Sequence, residues 1–564
     1  MRGVRHTHYL HARQSASHRP AVRGVETPVG ESAFRAGLLR PFGEPRVEEA
    51  FGDESGANAV SRSIVKGFLS IFSGKMLTSV ISIVALPFVV RVLGPDGYGD
   101  YAFLLSVFSV MMIFFSSGVT EGVQKFAAEE RDFEEWRSNV VGFYLKLATG
   151  LAALGVVCVV GVTRLGIVER QLGARFDLYF YLLAALVVAA QYRAFARRTL
   201  MGFGLEEYSE PLRVVGKILL FGTGLGLGYF FGFGVEGFLL GNILGDAVVA
   251  VIGLWIILNR VSIREVVSRT AESVSRNELL TFNVLNIALV LLVMSLYHTD
   301  IIMMRMFLGS EETGYYRAAL SIAEYIWFVP IALQALLLHS ASTLWSNEEY
   351  ARISSLTTRI IRYTALLAVV MSIGVAVLAD RFVPYYYGAD FVPMIRPLLF
   401  LLPGVVGFAL ARPIYAVSQG NGDLKPIIVA TSGSAALNLV LNYLLIPRFG
   451  MIGAATATSI GYGSMLLMHV GCARHLGYYP LKDFRAPRIL AAGAIAAPVI
   501  YAADWVLASD MAALAVVPVV GFVVYAVASL AVGAVSVEEV LNVLSYFPSP
   551  IDNWSQSVQQ WRQE

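Results

Sequence analysis

From Ile64 onward the chain is a succession of apolar stretches separated by short polar breaks. Each stretch is about 20 residues long, the length a helix needs to cross the hydrocarbon core of a bilayer. In lipid every backbone N–H and C=O must be satisfied within its own segment, and these runs show none of the alternation that marks barrel strands. The pattern predicts an all-α integral membrane protein with fourteen spans, seven per half. The first is expected at 64–90, the seventh at 282–307, the eighth at 315–341, the ninth at 360–379 and the last at 512–533. Of the 564 residues 56% are hydrophobic and only 15% are charged, outside the range of soluble globular chains. A formal net charge of +2 gives no reason to expect a nucleic-acid partner. The two cysteines, Cys158 and Cys472, sit in separate apolar runs, so neither a disulfide framework nor a metal site is expected.

One stretch is written twice. Residues 91–101, RVLGPDGYGDY, form a glycine-rich turn between the first two runs. Sliding the sequence by 215 positions lays Leu93, Gly94, Gly99, Tyr101, Leu105 and Ser106 on Leu308, Gly309, Gly314, Tyr316, Leu320 and Ser321. At an offset of 216, Gly204, Gly234 and Gly237 fall on Gly420, Gly450 and Gly453. The shared spacing implies two related halves, each with a tight outer turn in which glycine permits positive φ and Pro95 ends the preceding helix. The expected layout is a polar tail at 1–60, a first lobe at 61–258, a basic linker at 259–281, a second lobe at 282–533 and a tail at 534–564 whose piece 537–547 is amphipathic. The first tail has no secretory apolar run, and its acidic cluster Glu48, Glu49, Asp53 and Glu54 argues against a transit peptide. It reads as a disordered cytoplasmic tail or as residues upstream of the true start codon.

Lys and Arg in the breaks set the orientation. Lys125, Arg131 and Arg137, then Arg193, Arg197 and Arg198, and the 259–281 segment are assigned to the inner side, which places both termini in the cytoplasm of a multi-pass cell-membrane protein. A charge at the centre of a span costs about 2.5–3.5 kcal/mol, so each one asks for a reason. Lys75 lies in the first span, Asp246 in the sixth, His298, Asp300 and Arg305 in the seventh, Glu324 in the eighth and Arg412 in the tenth. His298 and Arg305 are seven apart and share a helix face, whereas Asp300 is rotated away from both. Lys146, Lys217 and Arg396 sit near span ends, where snorkelling accounts for them. The excess of cations favours a cavity that receives an anion, phosphate being the natural candidate. Lys75, Arg91, Asp300, Arg305 and Arg412 are the candidate cavity residues, and Asp300 and Glu324 the candidates for ion coupling. No HExxH, Walker loop or GxSxG is present, so no enzyme and no cofactor are expected.

The stretch Arg91 to Phe126, RVLGPDGYGDYAFLLSVFSVMMIFFSSGVTEGVQKF, resembles the first outer loop and second helix of the polysaccharide flippases, the Wzx-type O-antigen and capsule transporters of the multidrug/oligosaccharidyl-lipid/polysaccharide (MOP) exporter superfamily. Thr299 to Ala319 is similar to the family's seventh helix and following loop, with Asp300 at a family Asp. Gln419 to Thr458 matches a third region, with Asn438, Asn442, Pro447, Gly450, Gly453 and Ala454 in family positions. The resemblance covers roughly residues 62–535. It implies two seven-helix lobes that face inward and outward in turn and carry a polyprenyl (pyro)phosphate-linked oligosaccharide across the membrane. Its expected partners are that substrate, membrane lipids, and a glycan polymerase and glycosyltransferases, with the protein itself a monomer. The alternatives are a cation-coupled multidrug exporter of the same superfamily and a membrane glycan polymerase or ligase.

Overall fold

The computed structural model describes residues 54–129, 131, 136–268, 279 and 284–544. The expectations for the tail up to residue 53, for most of 269–283 and for 545–564 lie outside the described residues. Among the described residues all regular structure is helical. The helix Glu54–Ala128 is broken at Gly94 into arms α1 (54–93) and α2 (95–128). Then come α3 (Trp136–Arg164), the short α4 (Ile167–Leu172), α5 (Arg175–Gly202), α6 (Glu206–Phe231), α7 (Val235–Leu258) and the short α8 (Ile263–Val267). The second half contains α9 (Val284–Phe307), α10 (Ser310–Glu324), α11 (Phe328–Ser346), α12 (Tyr350–Tyr386) and α13 (Ile395–Gly420). The helix Leu424–His475 is broken at Gly450 into α14 (424–449) and α15 (451–475). The last elements are α16 (Ala486–Val506), α17 (Asp510–Ala531) and α18 (Val537–Leu544).

Eleven described helices are long and apolar enough to cross a membrane. The difference from the fourteen expected spans has three locations: the break at Gly94, the break at Gly450, and the interrupted pair α10 and α11. The interruption is a 3-10 turn at Tyr325–Trp327. Pro330 explains it, since a proline there has no N–H to offer the carbonyl of Ile326, and the chain tightens before the helix resumes. The ninth span is longer than its apolar run suggested. α12 is 37 residues long because Ile353, Thr357 and Ile361 keep a buried face going through a polar stretch. Arg193, Arg197 and Arg198, read from sequence as loop cations, lie inside α5 instead, paired with Asp246, Glu210 and Glu121.

The outer turns behave as the repeat predicts. Gly94 (φ 63°) and Gly309 (φ 116°), equivalent under the 215-residue shift, both occupy the left-handed half of the backbone map that a side chain disfavours. The end carrying these two turns is called outer, the side expected for it from the loop charges. The main core lies near this end and takes in both halves: Val89, Val90 and Tyr98 are buried in one cluster with Tyr316, Leu320 and Phe391.

At the opposite end α18 is amphipathic, as expected for 537–547, and it is held down by ions as well as by its buried Leu541. Arg362 of α12, 3% exposed, reaches Asp483 at 3.2 Å and also pairs with Glu539 of α18. A hydrogen bond to a charged group contributes about 1.5–3 kcal/mol. Arg362→Ala should therefore lower the melting temperature by several degrees and expose α18 to protease, as differential scanning fluorimetry and limited proteolysis would read. An unchanged melting temperature with α18 still protected would show the ion pairs to be incidental.

Candidate functional site

The two copies of the repeated turn dock on each other. A Cβ on Gly99 would fall far inside contact distance of the Ser310 carbonyl and 2.8 Å from the Gly314 nitrogen. A Cβ on Gly314 would be equally obstructed by the Pro95 carbonyl and would lie 3.2 Å from the Gly99 nitrogen. Pro95 and Ser310 are 215 positions apart, and so are Gly99 and Gly314. Each half therefore places its glycine on the same backbone position of the other, the pattern of a two-fold contact. Only glycine allows two helix backbones this close.

Beside the glycines sits Asp100, 1% exposed. Its Oδ1 accepts from Ser310 Oγ at 2.6 Å and from Arg305 Nε at 3.0 Å. Its Oδ2 lies 2.6 Å from Arg175 Nη2 in an ion pair. Arg305 and Ser310 belong to the second half, Asp100 and Arg175 to the first. Other links join the halves here: His298 Nδ1 with Ser106 Oγ at 3.3 Å, Tyr98 with Ser321 at 3.5 Å, Arg91 Nη2 donating to the Tyr385 carbonyl at 2.7 Å, and Tyr386 donating to the Ile83 carbonyl. The polar links between halves found among the described residues gather in this outer region, which is shut.

The candidate cations thus separate into two groups. Arg91 and Arg305 serve the closed outer end. Lys75 and Arg412 do not. Lys75 is exposed on α1, with no ion-pair or hydrogen-bond partner for its ammonium among the described residues. Arg412 lies over the rings of Phe408 (4.8 Å) and Trp327 (5.3 Å), bonds to Gln334 Oε1 at 3.0 Å and to the Tyr297 hydroxyl, and has no carboxylate partner among the described residues. Neutral oxygens and aromatic faces hold this guanidinium in place while its charge stays available. Arg213, which sequence reasoning passed over because it sits near a span end, joins the group although Glu210 pairs with it at 2.7 Å.

Asp300 turns the other way, into its own half, while His298 and Arg305 reach across to the first. It is fully buried, with Oδ1 accepting from the Ile301 backbone at 2.8 Å and Oδ2 accepting from the hydroxyls of Tyr316 (2.6 Å) and Thr458 (3.1 Å). Asn438 Nδ2 lies 3.5 Å from Thr458 Oγ1. Asn442, one turn along α14, is fully buried, and neither amide atom has a hydrogen-bond partner among the described residues. A buried carboxylate with no ion-pair partner among the described residues, bonded instead to hydroxyls, fits a protonated acid or a small cation held by oxygens. Glu324 is engaged elsewhere, its carboxylate 3.3 Å from Arg317. Among the described residues no three His, Cys, Asp or Glu side chains gather as metal ligands.

The sequence model of the polysaccharide biosynthesis protein family matches residues 64–336, which include the repeated turn in both its copies. That match covers just under half of the chain. A probable low-salt glycan biosynthesis flippase, Agl15 of Haloferax volcanii, is 25% identical over 175 residues, 30% of this chain and 36% of the relative. This chain thus spans about a third of that relative's length. An uncharacterized membrane protein of Methanocaldococcus jannaschii is 24% identical over 402 residues, 66% of this chain and 76% of the relative. In fold, the chain is similar to the lipid II flippase MurJ in an inward closed conformation, with a TM-score of 0.65 at 14% identity over 83% of this chain and 98% of that one. It is similar also to an inward-facing multidrug resistance MATE family transporter of the MOP superfamily, with a TM-score of 0.60 at 16% identity over 74% and 100%. The chain therefore has the fold of these transporters, in agreement with the resemblance carried by its motifs.

Proposed function

We propose that this membrane protein turns over a polyprenyl (pyro)phosphate-linked oligosaccharide from the inner to the outer leaflet for cell-surface glycan synthesis, its two halves opening in turn to either side. The observation that carries the reading is Arg412, a half-buried guanidinium held by Gln334, Tyr297 and aromatic faces with no carboxylate partner among the described residues, with Lys75 a second unpaired cation from the other half. A cation without a carboxylate partner inside a membrane protein is suited to take an anionic headgroup as its counter-ion. The likeness to a probable glycan biosynthesis flippase of Haloferax volcanii supports a glycan cargo. A cation-coupled exporter of the superfamily is the second reading, but an unneutralised cationic pair suits the cationic drugs of such an exporter poorly. Asp300 is our choice for coupling to a monovalent cation or proton, with Thr458, Asn438 and Asn442 supplying the remaining oxygens. Both termini are placed inside, and the partners proposed are the enzymes that build and polymerise the glycan.

Each charge-assisted bond to a phosphate is worth about 1.5–3 kcal/mol, so losing one should cost about 10- to 100-fold in headgroup affinity. Lys75→Ala and Arg412→Ala are each expected to insert normally, to deplete surface glycan and to leave lipid-linked precursor on the inner leaflet. Wild-type surface glycan in both variants would reject the anion reading.

A further inference from the structure

The outer latch is asymmetric in a way that gives it a second use. Asp100 and Arg175 travel together on the first half, and Arg305 and Ser310 travel together on the second. When the halves part at this end, Asp100 keeps Arg175, but Arg305 loses the only carboxylate it has among the described residues. Its guanidinium is 12% exposed in the closed state, lying 4.9 Å over the ring of Phe176, which also belongs to the first half. Opening therefore removes both the counter-charge and the aromatic cover at once, leaving a bare guanidinium with the Ser310 hydroxyl beside it. A cation stripped of its partner at the mouth of a membrane protein needs a new counter-ion.

We propose that Arg305 and Ser310 form a second phosphate-binding position that exists only in the outward-open state, and that Asp100 fills it in the closed state in place of a diphosphate oxyanion. This rests on the reading that the cargo carries a polyprenyl phosphate. The closed-state contacts supply the template: a carboxylate oxygen takes the Arg305 N–H and the Ser310 O–H together, and a phosphate oxygen can take the same two donors. Because the headgroup and Asp100 compete for one guanidinium, a bound headgroup stabilises the open state by its preference for that state, and restored pairing with Asp100 expels it. Two of the other acidic groups at this end are engaged elsewhere. Glu311 accepts from Tyr315 at 2.7 Å on its own helix, and Glu236 stays with the first half near Tyr179 and Arg175.

The test uses the full chain in nanodiscs, with Cys158 and Cys472 replaced and spin labels at Glu169 and Ala508, both exposed near the outer end on opposite halves. Farnesyl diphosphate is the probe and farnesol the control. In the otherwise unaltered protein the diphosphate, and not the alcohol, should lengthen the inter-label distance. Asp100→Asn should lower the half-saturating diphosphate concentration about tenfold, within the usual span of coupling between sites. Arg305→Gln should abolish the response, and Arg305→Lys should restore part of it, which also guards against a folding defect. If Arg305→Gln opens with diphosphate as the parent does, Arg305 is a latch and nothing more. If the parent binds diphosphate through Lys75 and Arg412 while Arg305→Gln changes nothing, only the present inference falls. If the parent ignores diphosphate altogether, the proposed cargo falls with it.

Discussion

Replacing Gly99 with valine is expected to leave the protein inserted in the membrane and to stop transport. Its added carbon would meet the backbone of Ser310 and Gly314, atoms that cannot rotate out of the way as a side-chain tip can. Ordinary overpacking of a deformable core costs about 1–3 kcal/mol. Against two fixed backbones the cost should be at the top of that range or beyond, disfavouring the closed outer end by about a hundredfold or more. Gly314→Val should do the same from the other half, since its carbon would meet Pro95. Gly150→Val is the control, on an exposed face of α3 with no atom within 4 Å. The readouts are the outer inter-label distance and the surface glycan. Wild-type transport by Gly99→Val would mean that this close approach of backbones is not part of the working cycle.

The second large effect is expected at Asp300. Asp300→Asn keeps the shape and most of the hydrogen bonding with Tyr316 and Thr458, but it removes the negative charge that a proton or small cation would balance. Transport driven by a sodium or proton gradient in proteoliposomes should fall at least about tenfold, the scale of one lost charge-assisted contact, while exchange without a gradient persists. Glu324→Gln should keep the gradient response, because Glu324 already has Arg317 as its partner. The opposite pattern, with coupling intact in Asp300→Asn and lost in Glu324→Gln, would move the coupling site to α10.

Most of the spans and the division of α9 into two faces were readable from local period, and the internal repeat from its shared offset of 215 residues. His298 and Arg305 share a face at any tertiary arrangement of a straight helix, and Asp300 cannot join them. What escaped was pairing at a distance. Asp100 looked like a loop residue of the turn RVLGPDGYGDY and was not counted among the buried charges, yet it neutralises Arg305, 205 positions away. Arg305 therefore read as a free cavity cation. Arg412 read correctly as a charge needing an explanation, but nothing near it in sequence indicates the seat made by Trp327, Phe408 and Gln334 on other turns and helices. The break at Tyr325–Trp327 was marked by Pro330, a signal overridden by the unbroken apolar run around it.

The reciprocal docking of Gly99 and Gly314 has one more implication. Neither half supplies a special receptor for the other; each brings one bare ridge and one groove, and the same pair of features is used in both directions. A single half-length polypeptide carrying one such turn holds all that is needed to close against a duplicate of itself. Fusing the copies then frees each to diverge, one acquiring Asp100 and the other Arg305, without disturbing the surface that joins them.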